Sequence, residues 1–323
     1  MLPVPRCHNG RVTGPASTGV GALGLMAVAF GALTACATAR LETRSPTPGG
    51  PTLSILTYNV HLDRFTSAAT LAAVGETQAD VLCLMEVSDG WARVLRARYG
   101  RAYPHMLFSP GASSGLAVLS RFPLEEGTVI PGEEGRHPAL RIVVHARGTP
   151  VQLLLVHLRP VFSGRGDPVS SWARVSEDHV AEIRRLMRAL DGTVPTLVLG
   201  DFNEEPGGGA LSWLGRAGFR NALPLFHPGQ PTWRMPSPMS QLEATVDHIL
   251  FDRSFVPLDA RVVRGGRSDH LPVVARFEVR SPLVGGRGRQ VRTPTAGMET
   301  GPANLSLETQ IDVPREAQGD AQR

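Results

Sequence analysis

Apolar residues along the chain come in two rhythms. Short runs rich in Val, Ile and Leu predict strands at Leu53 to Val60, Val81 to Glu86, Gly115 to Arg121, Leu140 to Ala146, Val151 to Leu158, Thr196 to Asp201, Val246 to Phe251, Ala260 to Arg264 and Leu271 to Val279. Between them, apolar residues spaced three and four apart predict helices over Ser67 to Gln78, Ser88 to Tyr99, Ser170 to Leu190 and Gly209 to Ala217. In the third helix Trp172, Val175, His179, Ile183, Leu186 and Leu190 recur at that spacing, so His179 is expected as a packing residue on one buried face. The alternation gives a mixed α/β reading with too many strands for one small sheet. No fixed repeat of roughly 20 to 50 residues is present, which excludes solenoids and propellers.

Both ends depart from this pattern. The first 35 residues carry Arg6 and Arg11, the apolar stretch Gly19 to Ala35, and then Cys36. That stretch is shorter than the roughly 20 residues a stable membrane-spanning helix needs, so a signal peptide is expected over residues 1–35. The box Leu33-Thr34-Ala35-Cys36 resembles a bacterial lipoprotein signal. That resemblance implies lipidation of Cys36, attachment to the membrane through it, and a place in the cell envelope on the extracytoplasmic side. Residues 36–51, rich in Thr, Pro, Ser and Gly, are expected as a flexible tether. Residues 52–280 form the expected catalytic domain, and residues 281–323, with little to bury, an expected disordered tail.

Composition narrows the class and bounds the partners. With 42% hydrophobic, 19% charged and 6% aromatic residues over 323, the chain is of ordinary globular make-up. The net charge is +4 and every cation is arginine, since lysine is absent. Between Pro51 and Arg280 stand 24 arginines against 23 acids, so no general polyanion-binding surface is indicated in the domain. The spacing of Cys7, Cys36 and Cys83 fits neither a zinc site nor a disulfide framework. Cys83, inside the run Val81 to Met85, is expected as a small buried hydrophobe.

Acids, amides and histidines gather at the ends of the expected strands. Asn59 and His61 close the first on one face, and an amide oxygen there suits a hard cation or its water. Glu86 ends an almost wholly apolar strand, where a carboxylate needs a metal, a base or a structural partner. His157 ends another. Gly200-Asp201-Phe202-Asn203 is a stronger signal, because the glycine permits close approach and Asp201 and Asn203 project to one side. Two Asp-His pairs, Asp247-His248 and Asp269-His270, allow a carboxylate of one to orient the imidazole of the other.

The ordered set Asn59, Glu86, His157, Gly200-Asp201-Phe202-Asn203, Asp247 and Ser268-Asp269-His270 resembles the endonuclease/exonuclease/phosphatase superfamily, related to deoxyribonuclease I. Gly115 to Pro123 and Pro231-Thr232-Trp233 agree, and the likeness runs from about Thr52 to Val279. It implies a four-layer α/β sandwich, two packed mixed sheets flanked by helices, with the site at one rim. It also implies Mg²⁺ or Mn²⁺ held mainly by Glu86 with Asn59 and Asp269. His157 and Asn203 would contact phosphate oxygens and Asp247 would orient His270. The general base is left open between Asp201 and His270. In the third helix the family's common glutamine is replaced by Glu177 and Asp178, so Arg174 is left out of the site.

The expected partner is a phosphoester, whether nucleic acid, phospholipid or small phosphodiester, acted on by a monomer. Arg165, Arg264 and Arg267 are candidates for steering an anion to the rim, though loop arginines of this kind are also ordinary solvated surface. The alternative reading is a catalytically inactive, membrane-displayed binding module of the same fold.

Overall fold

Two hydrophobic faces on one strand force two layers of cover, and the strands here carry both. The computed structural model describes residues 40–133, 136–160, 168–236 and 241–280, without the side chains of 168–174 and 236. The expected signal peptide, Cys36 and the tail 281–323 lie outside the described residues.

One six-stranded sheet contains β1 (Thr52–Asn59), β2 (Val81–Met85), β3 (His105–Ser109), β4 (Leu116–Ser120), β13 (Phe255–Val262) and β14 (Val273–Val279), in the order β13-β14-β1-β2-β4-β3. The second holds β5 (Thr128–Ile130), β6 (Ala139–Ala146), β7 (Thr149–His157), β8 (Thr196–Asp201), β9 (Arg220–Asn221) and β12 (Asp247–Phe251), in the order β5-β6-β7-β8-β12-β9. Each is mixed, because β1 pairs parallel with β2 and β7 with β8, while their other neighbours are antiparallel. A separate hairpin joins β10 (Trp233–Pro236) to β11 (Gln241–Ala244).

Alternating residues then sort into three cores. Leu53 and Ile55 of β1 pack between the sheets with Leu153 and Leu155 of β7, Leu197 and Leu199 of β8, and Ile249 and Phe251 of β12. The intervening Leu56 and Tyr58 face α1 (Ala68–Glu76) and α2 (Asp89–Tyr99), where Trp91 and Leu95 meet them. On the far side Leu154, Val156 and Val198 face α3 (Pro168–Met187) and α4 (Gly209–Arg216). The short α5 (Ala222–Phe226) adds Ala222, Leu223 and Phe226 to the inter-sheet core. Four layers result, as the resemblance implied.

Residues 40–50 run along the domain as a strap: the Leu41 amide donates to the Leu225 carbonyl at 2.7 Å, the Arg44 amide to Leu258 at 3.0 Å and the Thr47 amide to Glu278 Oε2 at 2.7 Å. Leu41 also packs against the inter-sheet core. These bonds give backbone amides of the strap partners on the domain.

Candidate active site

The parity of four strands gathers the site. In β1, β7, β8 and β12 the residues facing the other sheet are alternate ones, and continuing each series to the strand end gives Asn59, His157, Asp201 and Asp247. Asp201 pairs in register with both His157 and Asp247, so those three stand side by side across the second sheet. Asn59 meets them from the first sheet. The site is thus the open rim of the inter-sheet core.

Several backbone positions are unusual here. Gly200 has φ +138, and a Cβ placed on it would lie 1.9 Å from the Val156 carbonyl oxygen, so only glycine permits this strand pair just before Asp201. His61, Glu86 and Asn203 all adopt left-handed backbone at φ 60, 60 and 49. Such conformations cost free energy in non-glycine residues and concentrate at functional sites. At Glu86 the left-handed turn ends β2, and its carboxylate takes donors from Asn59 Nδ2 at 3.0 Å and from the Leu62 amide at 3.0 Å.

Asn59 also donates to Asp201 Oδ2 at 3.3 Å, and its own amide oxygen accepts from the His61 amide at 3.2 Å. Asp201 Oδ1 accepts from the Asn203 amide at 2.9 Å, while Asn203 Nδ2 donates to the Leu158 carbonyl at 2.8 Å. Around Asp201 Oδ2 lie two imidazoles, His270 Nε2 at 3.5 Å and His157 Nε2 at 3.6 Å. His270 Nδ1 donates to Asp247 Oδ2 at 2.9 Å, so the two Asp-His pairs interlock as their sequence allowed. Ser268 steers the loop that carries His270. Its hydroxyl donates to the Asn59 carbonyl at 2.8 Å and accepts from the His270 amide at 3.1 Å.

Burial alone would lower the His270 pKa, but the Asp247 and Asp201 carboxylates outweigh it and hold the ring in its charged form. Asp247 is wholly buried and its pKa is raised by that burial, against the pull of His270. Asp247 therefore has a cation to answer it, and Thr232 Oγ1 fixes the strand start by accepting from the Val246 and Asp247 amides at 2.9 and 3.0 Å.

Asp269 stands slightly apart. Its Oδ2 accepts from Trp233 Nε1 at 3.0 Å, and it reaches the Asn59 group only through Ser268. Two sets of side chains fit a cation. Asp201, Asp247 and His270 bring ligand atoms within 4.8 Å of one another. Glu86 and Asn59 offer oxygens with only one donor on each. An imidazolium held between carboxylates is a poor ligand, whereas carboxylate and amide oxygens suit a hard divalent ion. The residues therefore fit such an ion best at Glu86 and Asn59.

One neighbour escaped the sequence reading. His137 stacks on His157 with ring centroids 4.3 Å apart and planes 7° apart. Burial first, and then His157, lower its pKa to about 4. Arg136 anchors it by bonding Asp178 Oδ1 of α3 at 3.2 Å, with Glu182 at 3.8 Å and Glu133 also paired. Asp178, which departs from the family pattern, thus has a structural partner. In the sequence His137 sits in a Gly, Glu and Pro stretch without periodicity, and only its place just before an apolar run marked it. His179, expected as a partly buried packing residue, is fully buried and has polar partners: Nδ1 meets Glu204 Oε1 at 2.9 Å and Nε2 the Arg159 carbonyl at 2.7 Å. Arg264 and Arg267 are exposed, and Arg165 lies outside the described residues.

Comparison with known proteins fits this geometry. A family model described as Endonuclease/Exonuclease/phosphatase family matches residues 56–270. No curated protein matches the chain. Among solved structures, an endonuclease/exonuclease/phosphatase from Beutenbergia cavernae DSM 12333 is 21% identical over 73% of this chain and 74% of that one, with a TM-score of 0.55. A functionally unknown conserved protein from Enterococcus faecalis V583 is 20% identical over 71% of this chain and 100% of its own, at 0.55. D. rerio TDP2, solved with a single strand DNA product, is 17% identical over 70% and 98%, at 0.54. These likenesses speak to the fold.

Proposed function

The chain belongs to the endonuclease/exonuclease/phosphatase family, and from that premise we propose that it is a divalent-metal-dependent phosphodiesterase acting outside the cytoplasmic membrane. The observation that carries this is the Asp201 carboxylate, touched by Asn59 from one sheet and flanked by His157 and His270. Mg²⁺ or Mn²⁺ held by Glu86 and Asn59, with Asp269 linked to Asn59 through Ser268, would offset the negative charge of the phosphate that otherwise repels a nucleophile.

The remaining work falls to the protein's own groups. Held as imidazolium by Asp247, His270 donates through Nε2 to a phosphate oxygen where charge accumulates. With that ring already charged, Asp201 is our choice of acceptor for the proton of a water that attacks phosphorus as the P–O bond to the leaving alcohol breaks. The Asn203 backbone amide occupies Asp201 Oδ1, and Oδ2 faces Asn59, His157 and His270. His157 Nε2 supplies a second donor beside it. Extracytoplasmic placement rests on the Cys36 box, and labelling cells with a palmitate analogue tests it, since an unlabelled protein ends the lipoprotein reading.

The enzymatic reading is tested by assaying the purified chain against bis(p-nitrophenyl) phosphate, DNA, RNA and sphingomyelin. Turnover of at least one diester with Mg²⁺ or Mn²⁺ is expected, abolished by EDTA and restored by excess metal. Turnover indifferent to EDTA removes the metal. Binding without turnover of any substrate leaves the inactive display module.

A further inference from the structure

At the end of the sandwich away from the catalytic rim, four arginines surround one cavity of about 350 Å³. Arg44, Arg220, Arg253 and Arg280 line it, all exposed, over Phe251 and Asp252. Three strands separate the two ends. β12 runs from Asp247 at the rim to Phe251 at the cavity, β8 from Thr196 beside Asp252 to Asp201, and β14 ends one residue before Arg280. Strands of this length rise ~3.3 Å per residue, so the cavity lies on the order of 15 Å from the catalytic carboxylates.

These arginines lack the partners that surface arginines usually find. The arginine ion pairs of the described residues are made by Arg136, Arg159, Arg185 and Arg261, and by none of the four. Arg220 lies over the Phe251 ring at 5.6 Å, and Arg280 Nη1 reaches the Arg253 carbonyl at 3.4 Å. The one carboxylate in the cavity wall is already committed, because Asp252 accepts from the Thr196 amide at 2.9 Å and the Ser254 amide at 2.8 Å. In a domain whose charges nearly balance, four unanswered cations at one end create a local positive field.

The described chain also enters at this end. Arg44 belongs to the strap of residues 40–50, and its amide is bonded to the Leu258 carbonyl. Cys36 precedes Arg40 by four residues, a span that reaches no further than ~14 Å even fully extended. An acyl group on Cys36 would therefore bring a bilayer to the arginine face.

From the charge, the open cavity and the point of entry, we propose that this end of the domain docks on an anionic lipid surface, with the four guanidinium groups taking headgroup phosphates. Arginine suits that role by its planar fork of donors, and juxtamembrane basic clusters are drawn to anionic leaflets. Docked so, the catalytic rim points away from the membrane that anchors it. Combined with the proposed activity, this favours substrates in the surrounding space over lipids of the same leaflet, although the docking itself does not depend on that activity.

The test uses the full chain with Cys36→Ala, so that no acyl group contributes, in co-sedimentation with vesicles of phosphatidylcholine alone or mixed with phosphatidylglycerol. The segment before Arg40 is the same in every chain compared, so the change in the ratio between wild-type and variant arginine faces is the readout. A preference for the anionic vesicles of at least about tenfold is expected at low salt, collapsing near ~0.5 M NaCl as screening sets in. Changing Arg44, Arg220, Arg253 and Arg280 together to Gln should lower the ratio several-fold without altering the melting temperature or turnover of a soluble diester. Should the quadruple variant fold poorly, the four single variants should each lower the ratio. Retention of the preference in the folded variants overturns the assignment. So does wild-type binding of free glycerol phosphate with no vesicle preference, which would describe a small-anion site.

Discussion

Asn59 spends both hydrogens of one amide nitrogen on carboxylates that belong to different sheets, Glu86 Oε1 at 3.0 Å and Asp201 Oδ2 at 3.3 Å. The side chain is 1% exposed, so water cannot replace it. An aspartate there would fit the space, lose both donors and set a third carboxylate against the other two. A buried acceptor stripped of its donor costs about 1–3 kcal/mol, with like-charge repulsion added. Asn59→Asp is therefore expected to lower unfolding stability by about 2–3 kcal/mol at pH 7 and to reduce turnover at least ~100-fold, with the stability deficit narrowing toward pH 4 as carboxylates protonate. Denaturation of both chains at the two pH values checks this. An equal deficit at pH 7 and pH 4 would show that charge is not the cause. At this scale the sequence was informative about identity and silent about conformation: Asn59, Asp201 and Asp247 lie on a readable strand parity, whereas the left-handed backbones of Glu86 and Asn203 leave no mark in composition.

Elements were legible in proportion to how much apolar surface they bury. The central strands β1, β2, β7 and β8 carry long buried runs and fall within a residue or two of expectation. β13 begins five residues early, at Phe255, because Pro257 and Asp259 interrupt its apolar run and an edge strand tolerates both. The strands β5 and β9, of three and two residues, and the exposed β11 carry too little pattern to read. His248 on β12 shows what buried polarity does for an element. Its Nε2 donates to the Glu204 carbonyl at 2.8 Å, and Asn221 Nδ2 of β9 meets Nδ1 at 2.8 Å, tying β12 to its edge strand and to the loop after β8. Burial pushes its pKa down to about 4, so the unfolded chain takes up a proton near the ordinary value of 6.5 while the folded one resists. The stabilisation is full above pH 6.5 and is lost as pH falls toward about 4, amounting to about 3–4 kcal/mol at roughly 1.4 kcal/mol per pKa unit. His248→Gln keeps a donor for Glu204 but cannot titrate. Its unfolding free energy should fall less steeply than wild type between pH 6.5 and 4, and parallel curves would assign the acid sensitivity elsewhere.

At the scale of the molecule, no single sheet holds the site. Asn59 and Glu86 come from the ends of β1 and β2 and His270 from the loop before β14, while His157, Asp201 and Asp247 belong to the second sheet. Sequence order scatters these residues over more than 200 positions, and what unites them is the packing of two inner faces that a strand pattern implies without fixing their alignment. Activity should then be lost with the inter-sheet core and not before it. Phe277 of the first sheet probes this from the far end, since its ring meets Phe251 of the second sheet at 5.2 Å and Phe255 at 5.5 Å, with no exposure. Phe277→Leu trims that contact and should cost about 1–2 kcal/mol. Turnover without denaturant should stay near wild type, because no site residue touches this ring. In urea, the midpoints of tryptophan fluorescence and of activity should move down together and remain coincident, as one cooperative transition requires. If activity instead survives past the fluorescence transition in Phe277→Leu, one sheet carries the chemistry alone and the rim between the sheets is the wrong place to look.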